Sequence, residues 1–166
     1  METKKPKLLN PGHTDEMYTP AYALDPLIPF LPKSRWENIG LCVCEPYPGP
    51  SRHMVNALKE RGFCVVEHPH EAEMIITNPP YSKKDEILQE CYDYGIPFAL
   101  LLPLTALEGK KRGAMYREHG IQLIIPNRRV NFITPNGGKS AWFQVAWFTW
   151  GLNLPKDLNF VEMERT

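Results

Sequence analysis

Glu73-Met74-Ile75-Ile76-Thr77-Asn78-Pro79-Pro80-Tyr81-Ser82 is the stretch on which the reading of this chain turns. Ile75 to Thr77 read as the end of a buried strand. Asn78 brings a short amide with a carbonyl acceptor and an NH2 donor. Pro79 and Pro80 fix φ and lack N–H donors, so the corner is stiff and its carbonyls point in set directions. Tyr81 offers a flat aromatic face at the carboxyl end of the strand, where open α/β sheets bind ligands. These parts suit an exocyclic amine on a nucleobase, a poor nucleophile because its lone pair is delocalised into the ring. Two acceptors, the Asn78 side-chain oxygen and the Pro79 carbonyl, would bind its two hydrogens and favour a tetrahedral, nucleophilic nitrogen. Tyr81 would stack on the base, a contact worth ~1–3 kcal/mol. An ordinary tight turn after a strand is the competing reading.

Downstream, Ser82 to Tyr94 read as a helix capped by Ser82, with Ile87, Leu88 and Cys91 toward the core and Gly95 at its end. Lys83 and Lys84 lie in its first turn, the unfavourable end for the helix dipole; a phosphate contact and a solvated face both account for them. Pro97 to Pro103 form an apolar strand bounded by prolines, Thr105 to His119 a helix with Lys110, Lys111 and Arg112 exposed, and Ile121 to Ile125 another strand. Arg128 to Thr134 and Ala141 to Trp150 flank Pro135-Asn136-Gly137-Gly138-Lys139, a strong hairpin signal. The aromatic run Trp142, Phe143, Trp147, Phe148 and Trp150 reads as core packing, and Arg128, Arg129 and Lys139 lie where they would meet phosphate.

Upstream, Leu41 to Glu45 form a first strand, Pro46 to Ser51 a turn, and Ser51 would cap a helix running to about Arg61 with Met54, Val55 and Leu58 as its apolar stripe. Nucleotide-type sites usually carry several glycines in this turn, and only Gly49 stands here. Phe63 to Glu67 form a second strand ending in an acid, either a ribose ligand or a solvent-facing carboxylate. Only His68 to Ala72 separate it from Glu73, and five extended residues reach at most ~17 Å. No helix and no further strand fits between them, so the second strand is very short or pairs differently. Thr19 and Pro20 read as the cap and first residue of a helix through Leu24, Leu27, Ile28 and Leu31. Residues 1 to 14 read as a loose arm, and 15 to 166 as one domain.

Composition excludes little. Lys plus Arg and Asp plus Glu are both 19, which argues against a strongly basic nucleic-acid binder but leaves room for a local basic patch. No apolar run reaches the ~18 residues of a membrane span, and no apolar core follows the N-terminal lysines, so neither an anchor nor a signal peptide is expected and the chain reads as cytoplasmic. Cys42, Cys44, Cys64 and Cys91 lack metal-site spacing and read as buried free thiols, and His68-Pro69-His70 reads as a turn, with no metal.

Asn78-Pro79-Pro80-Tyr81 resembles the signature of the S-adenosylmethionine-dependent adenine-N6 methyltransferases. With Tyr18-Thr19-Pro20, the strand and Gly49 turn, Pro97 to Pro103, Arg129-Val130-Asn131-Phe132 and the aromatic hairpin, residues 15 to 152 resemble small phage-type adenine-N6 DNA methyltransferases. The resemblance implies an α/β, Rossmann-like methyltransferase fold: a mostly parallel sheet with an antiparallel C-terminal hairpin, abbreviated between the second and the catalytic strand. It implies S-adenosylmethionine as cofactor, with Tyr18, Thr19, Pro20, Glu45, Gly49, Glu67 and Asn78 around it, in a pocket that is open and abbreviated or lost. Asn78, Pro79, Pro80 and Tyr81 would be catalytic. The partner would be nucleic acid, DNA first, contacted by Ser82, Lys83, Lys84, Arg128, Arg129 and Lys139. The alternatives are a methyltransferase-like binding protein without activity, and methylation of RNA adenine or a protein amide.

Overall fold

The computed structural model describes residues 17–49 and 51–165, so the expected arm at 1–14 lies outside the described residues. Side chains of successive strand residues point to opposite faces, and the sequence uses both. Met74, Ile76, Ala99, Leu101 and Trp147 join one buried cluster; Ile75, Phe98, Leu100, Leu102 and Phe148 join another. Such strands have no polar face, so the sheet has to be covered on both sides. Met54, Ala57 and Leu58 of α1 (His53–Glu60), with Tyr22 to Leu27, cover the first face. The second is covered by Ile87, Leu88 and Cys91 of α2 (Lys84–Tyr94) and Met115 of α3 (Lys110–His119).

The strands are β1 (Cys42–Cys44), β2 (Cys64–Val66), β3 (Met74–Thr77), β4 (Phe98–Pro103), β5 (Gln122–Pro126), β6 (Phe132–Ile133), β7 (Lys139–Ser140), β8 (Val145–Trp150) and β9 (Leu158–Val161). Seven of them make one sheet in the order β2-β1-β3-β4-β8-β5-β9. All neighbours are parallel except β8, which lies antiparallel between β4 and β5.

The expected squeeze between the second strand and the catalytic strand is resolved by shortness. β1 and β2 are three residues each, and β2 and β3 both pair with β1, on its two sides. The return from Glu67 to Glu73 retraces very little strand before it passes β1. Glu73 fastens the end of that return: its N–H donates to the Cys42 carbonyl at 2.7 Å. Its carboxylate accepts from the N–H of Cys42 (2.9 Å), the N–H of Arg35 (2.6 Å) and the Ser34 hydroxyl (3.1 Å).

Several expectations shift at their edges. Thr19 caps nothing: Pro20 precedes a 3-10 turn at Ala21–Leu24, and a second such turn covers Ile28–Phe30. Pro26 and Pro29 remove the amides a continuous α-helix would need. Ser51 is not the cap of α1; that position is Arg52, in a left-handed conformation with φ 53°. Nor does Ser82 cap α2, which begins after a 3-10 turn at Tyr81–Lys83. The expected helix from Thr105 splits into a 3-10 turn (Leu104–Leu107) and α3, because Gly109 between them takes φ 119°. Arg112, expected to be exposed, has its guanidinium on Asp85 and on the Ala106 carbonyl.

The antiparallel finish consists of two parts. Phe132–Ile133 and Lys139–Ser140 form a small separate hairpin, while Val145–Trp150 leaves it to join the main sheet. Within the aromatic run, Trp147 and Phe148 are buried, but Trp142 is 55% exposed and does not belong to the core. β9 was not anticipated; it adds a parallel edge strand on which Leu158 and Phe160 stay exposed. All four cysteines are free thiols, three of them buried. No helix among the described residues is long and apolar enough to cross a membrane.

The hydrogen bonds to Glu73 outweigh its burial and hold its carboxyl below the ordinary carboxylate range. Its stabilising effect is therefore full above that range and lost as pH falls through the lowered value. Glu73→Ala should cost about 1–2 kcal/mol in urea unfolding at pH 7, with a much smaller difference near pH 3. A cost that does not vary with pH would show that the carboxylate is not what fastens the return.

Candidate active site

The carboxyl ends of β1 and β3 lie side by side, with Cys44 paired to Ile75. The residues that follow each strand therefore face one another. Glu45 follows β1, and its side chain is buried. Its Oε1 accepts the Thr77 hydroxyl in a very short hydrogen bond and the N–H of Tyr47 at 2.7 Å. The backbone N–H of Asn78 also donates to this carboxylate. Burial pushes the Glu45 carboxyl up to about 7, against these three donors, which pull the other way.

Asn78 is held from the opposite side. Its Nδ2 donates to Thr19 Oγ1 at 2.9 Å, and Thr19 is itself buried. Three contacts bring the N-terminal segment here. Tyr18 exchanges backbone hydrogen bonds with Ile133 (2.8 and 2.9 Å). The Tyr22 hydroxyl accepts the N–H of Asn131 at 2.8 Å, and Trp147 Nε1 donates to the Ala23 carbonyl at 2.9 Å. With its NH2 group committed to Thr19, Asn78 turns its oxygen the other way. That oxygen is buried and has no partner. An acceptor left unsatisfied costs about 1–3 kcal/mol, so its natural complement is a donor arriving from outside.

A cavity of about 360 Å³ opens here, lined by Tyr18, Thr19, Glu45, Gly49 and Asn78 together with residues for which the sequence suggests no place at a site. Among the latter are Tyr47, Ser51, His53 and Met54. Its size falls within the range of small-molecule sites. Tyr18 and His53 stack with ring centroids 5.0 Å apart and form one wall. The Ser51 hydroxyl is buried without a partner, as the Asn78 oxygen is. The sequence predicts Ser51 as a cap, but Arg52 holds that position in a left-handed conformation and leaves the Ser51 hydroxyl without a backbone partner. Thr77 gave a weak signal, a hydroxyl at the last position of an otherwise apolar strand.

The remaining expected residues are placed as follows. Pro79 is buried, and its carbonyl takes no hydrogen bond among the described residues. Pro80 lines the cavity, and its carbonyl accepts the N–H of Lys83 at 3.1 Å. Pro20 is buried behind Thr19. Tyr81 is absent from the lining; its ring meets Phe143 edge-on at 5.8 Å. Glu67 is exposed and does not reach the cavity. Ser82, Lys83, Arg128, Arg129 and Lys139 are exposed, and Lys84 is half-buried with its Nζ on the Tyr81 carbonyl at 3.2 Å. Arg129 donates to the carbonyls of Ala141 and Trp142. His68 and His70 stack on each other at 5.4 Å, and no group of three potential metal ligands occurs among the described residues.

No protein-family model matches the sequence, and no curated protein matches it. The chain is similar to a solved structure from Listeria monocytogenes assigned to the class I S-adenosylmethionine-dependent methyltransferases. The TM-score is 0.54 at 10% identity, over 94% of this chain and 68% of that one. It is also similar to the M protein of the type I restriction enzyme EcoKI, with a TM-score of 0.49 at 15% identity over 91% of this chain. It spans about half of that protein, 49% of its length. The likeness to the first shows the fold: an α/β, Rossmann-like architecture of the class I methyltransferase type, with a mostly parallel sheet.

Glu45 titrates higher in the folded chain than when unfolded, so folding is progressively disfavoured as pH rises from the ordinary carboxylate range to about 7. Glu45→Gln keeps an oxygen for the Tyr47 and Asn78 amides and removes the charge. It should therefore unfold at higher urea than the parent at pH 8, by a margin of ~2–3 kcal/mol, and lose that advantage near pH 5. A variant less stable than the parent at both pH values would show that the ionised carboxylate is the favoured buried form.

Proposed function

We propose that this chain transfers a methyl group from S-adenosylmethionine to an exocyclic amine, with N6 of adenine in DNA as the intended nitrogen. One observation carries the reading. The Asn78 oxygen is a buried acceptor without a partner, on a side chain whose NH2 group is held by Thr19 and which lines a cavity of suitable size. The cavity also fits a sulfonium amino-acid donor: Glu45 offers a buried carboxylate, Ser51 a free hydroxyl, and Tyr18 and His53 an aromatic wall.

When bound, S-adenosylmethionine supplies an electrophilic methyl group. The residues of the chain do the rest by position. Asn78 Oδ1 and the Pro79 carbonyl each accept one hydrogen of the amine, which turns its lone pair out of conjugation and toward the cavity. No side chain would be needed as a general base before attack, because the amine nitrogen sheds its extra proton only after it has been methylated. Tyr81 and Phe143 meet beside this corner and offer aromatic surface to a base withdrawn from its stack. Lys83, Arg128 and Lys139 are exposed cations for the flanking phosphates.

Asn78→Ala should lower methyl incorporation into adenine-containing DNA by at least about a hundredfold while cofactor affinity changes only a few-fold. Calorimetry and a radiolabel assay on the same preparations separate the two effects, and retained turnover would dismiss the amine-orienting role. Affinity for S-adenosylmethionine should rise roughly tenfold between pH 6 and pH 8, as Glu45 ionises to meet the ligand's ammonium. A flat pH profile would mean that Glu45 does not face that group.

A further inference from the structure

The cavity is one-sided. Among the described residues its lining comes from the Tyr18 segment, from Glu45 to Met54, and from Asn78 and Pro80, and none between Met54 and Asn78 reaches it. The whole of β2 and the return from Glu67 to Glu73 are missing from its walls. Glu67 points into solvent, and the stacked His68 and His70 are exposed. The cause is the brevity described above. A three-residue edge strand followed by a seven-residue return leaves no backbone with which to enclose a purine and a ribose.

The polar groups that do line the cavity match a different set of atoms. The Glu45 carboxylate complements an ammonium. The Ser51 hydroxyl, buried without a partner, is a donor for a carboxylate. It stands at the start of α1, whose first turn carries no acidic residue and no side-chain cap, so the amides at that end reinforce it. The Tyr18–His53 stack supplies aromatic surface for a sulfonium. Ammonium, carboxylate and sulfonium together describe an α-amino acid with a positively charged sulfur.

We propose that the cavity grips its methyl donor by the sulfonium amino-acid half alone, with the nucleoside half outside any enclosed subsite. The ligand class is therefore α-amino-acid sulfonium compounds, with little regard to what the third sulfur substituent is. This rests on the methyl-transfer reading and adds to it where the discrimination lies. Ser51 is the specificity-determining residue.

Titration calorimetry of the full chain at pH 8 against three ligands tests this: S-adenosylmethionine, S-methylmethionine and 5′-methylthioadenosine. S-methylmethionine should bind within about tenfold of S-adenosylmethionine, and methylthioadenosine at least about a hundredfold more weakly. Ser51→Ala, a small change at a site without a hydrogen bond to lose in the free protein, should weaken both sulfonium ligands by about fivefold to tenfold. Binding of methylthioadenosine without S-methylmethionine overturns the inference and leaves the methyl-transfer reading standing. So does binding of S-adenosylmethionine with both fragments silent. If a chain folded by circular dichroism binds none of the three, the methyl-transfer reading falls, and the inference with it.

Discussion

One buried carboxylate sets the geometry of this molecule's working end. Glu45 sits where β1 stops and receives hydrogen bonds from the end of β3, from the corner that follows it, and from its own turn. Three chain segments therefore share one acceptor group. No ion pair to Glu45 exists among the described residues. Burying such an acid is costly, and the three donors offset only part of that cost, so burial still raises its titration to about 7. The Asn78 corner is thereby located from below by a strand-end acid and from above by Thr19. The backbone at Asn78 is held by Glu45 and its side-chain NH2 by Thr19, so the carboxamide is oriented without a ligand present.

The second governing fact is economy of strand. Doubly wound sheets ordinarily spend a dozen or more residues on each parallel crossover. Here β2 and β3 flank β1 with seven residues between them, and Glu73 holds that return by hydrogen bonds at 2.6 to 3.1 Å. β3, β4 and β8 keep their pairing, whereas β2 and the return contribute no residue to the lining of the cavity.

How much of this was legible in the chain itself depends on the range of the cause. The Asn78 to Tyr81 corner, the apolar strands on either side of it and the turn at Gly95 are local effects, and each follows from its own residues. Chain reach leaves two possibilities for β2, a very short strand or a different pairing, and the structure takes the first. The identity of the groups that meet in the cavity was only partly legible. Glu45, Gly49, Tyr18 and Thr19 line it, whereas Glu67 does not, since an edge strand of three residues ends too early to aim it inward. Ser51 and His53 were hidden because their roles depend on the conformation of Arg52. The split of the aromatic stretch was hidden too. Trp142 and Trp147 are alike in composition, and only the insertion of β8 between β4 and β5 separates an exposed ring from a buried one.

The contacts that hold Thr19 over Asn78 span great lengths of chain. Thr19 and Asn78 are 59 residues apart, Tyr22 and Asn131 are 109 apart, and Ala23 and Trp147 are 124 apart. During synthesis the Tyr18 to Ala23 segment is made before its anchors on the loop preceding β6 and on β8. Contacts of such separation form late because loop closure has to precede them. The segment that covers Asn78 is thus made well before the residues that hold it in place. A nascent chain ending before residue 147 would carry the Asn-Pro-Pro-Tyr corner with the covering segment short of its Trp147 anchor.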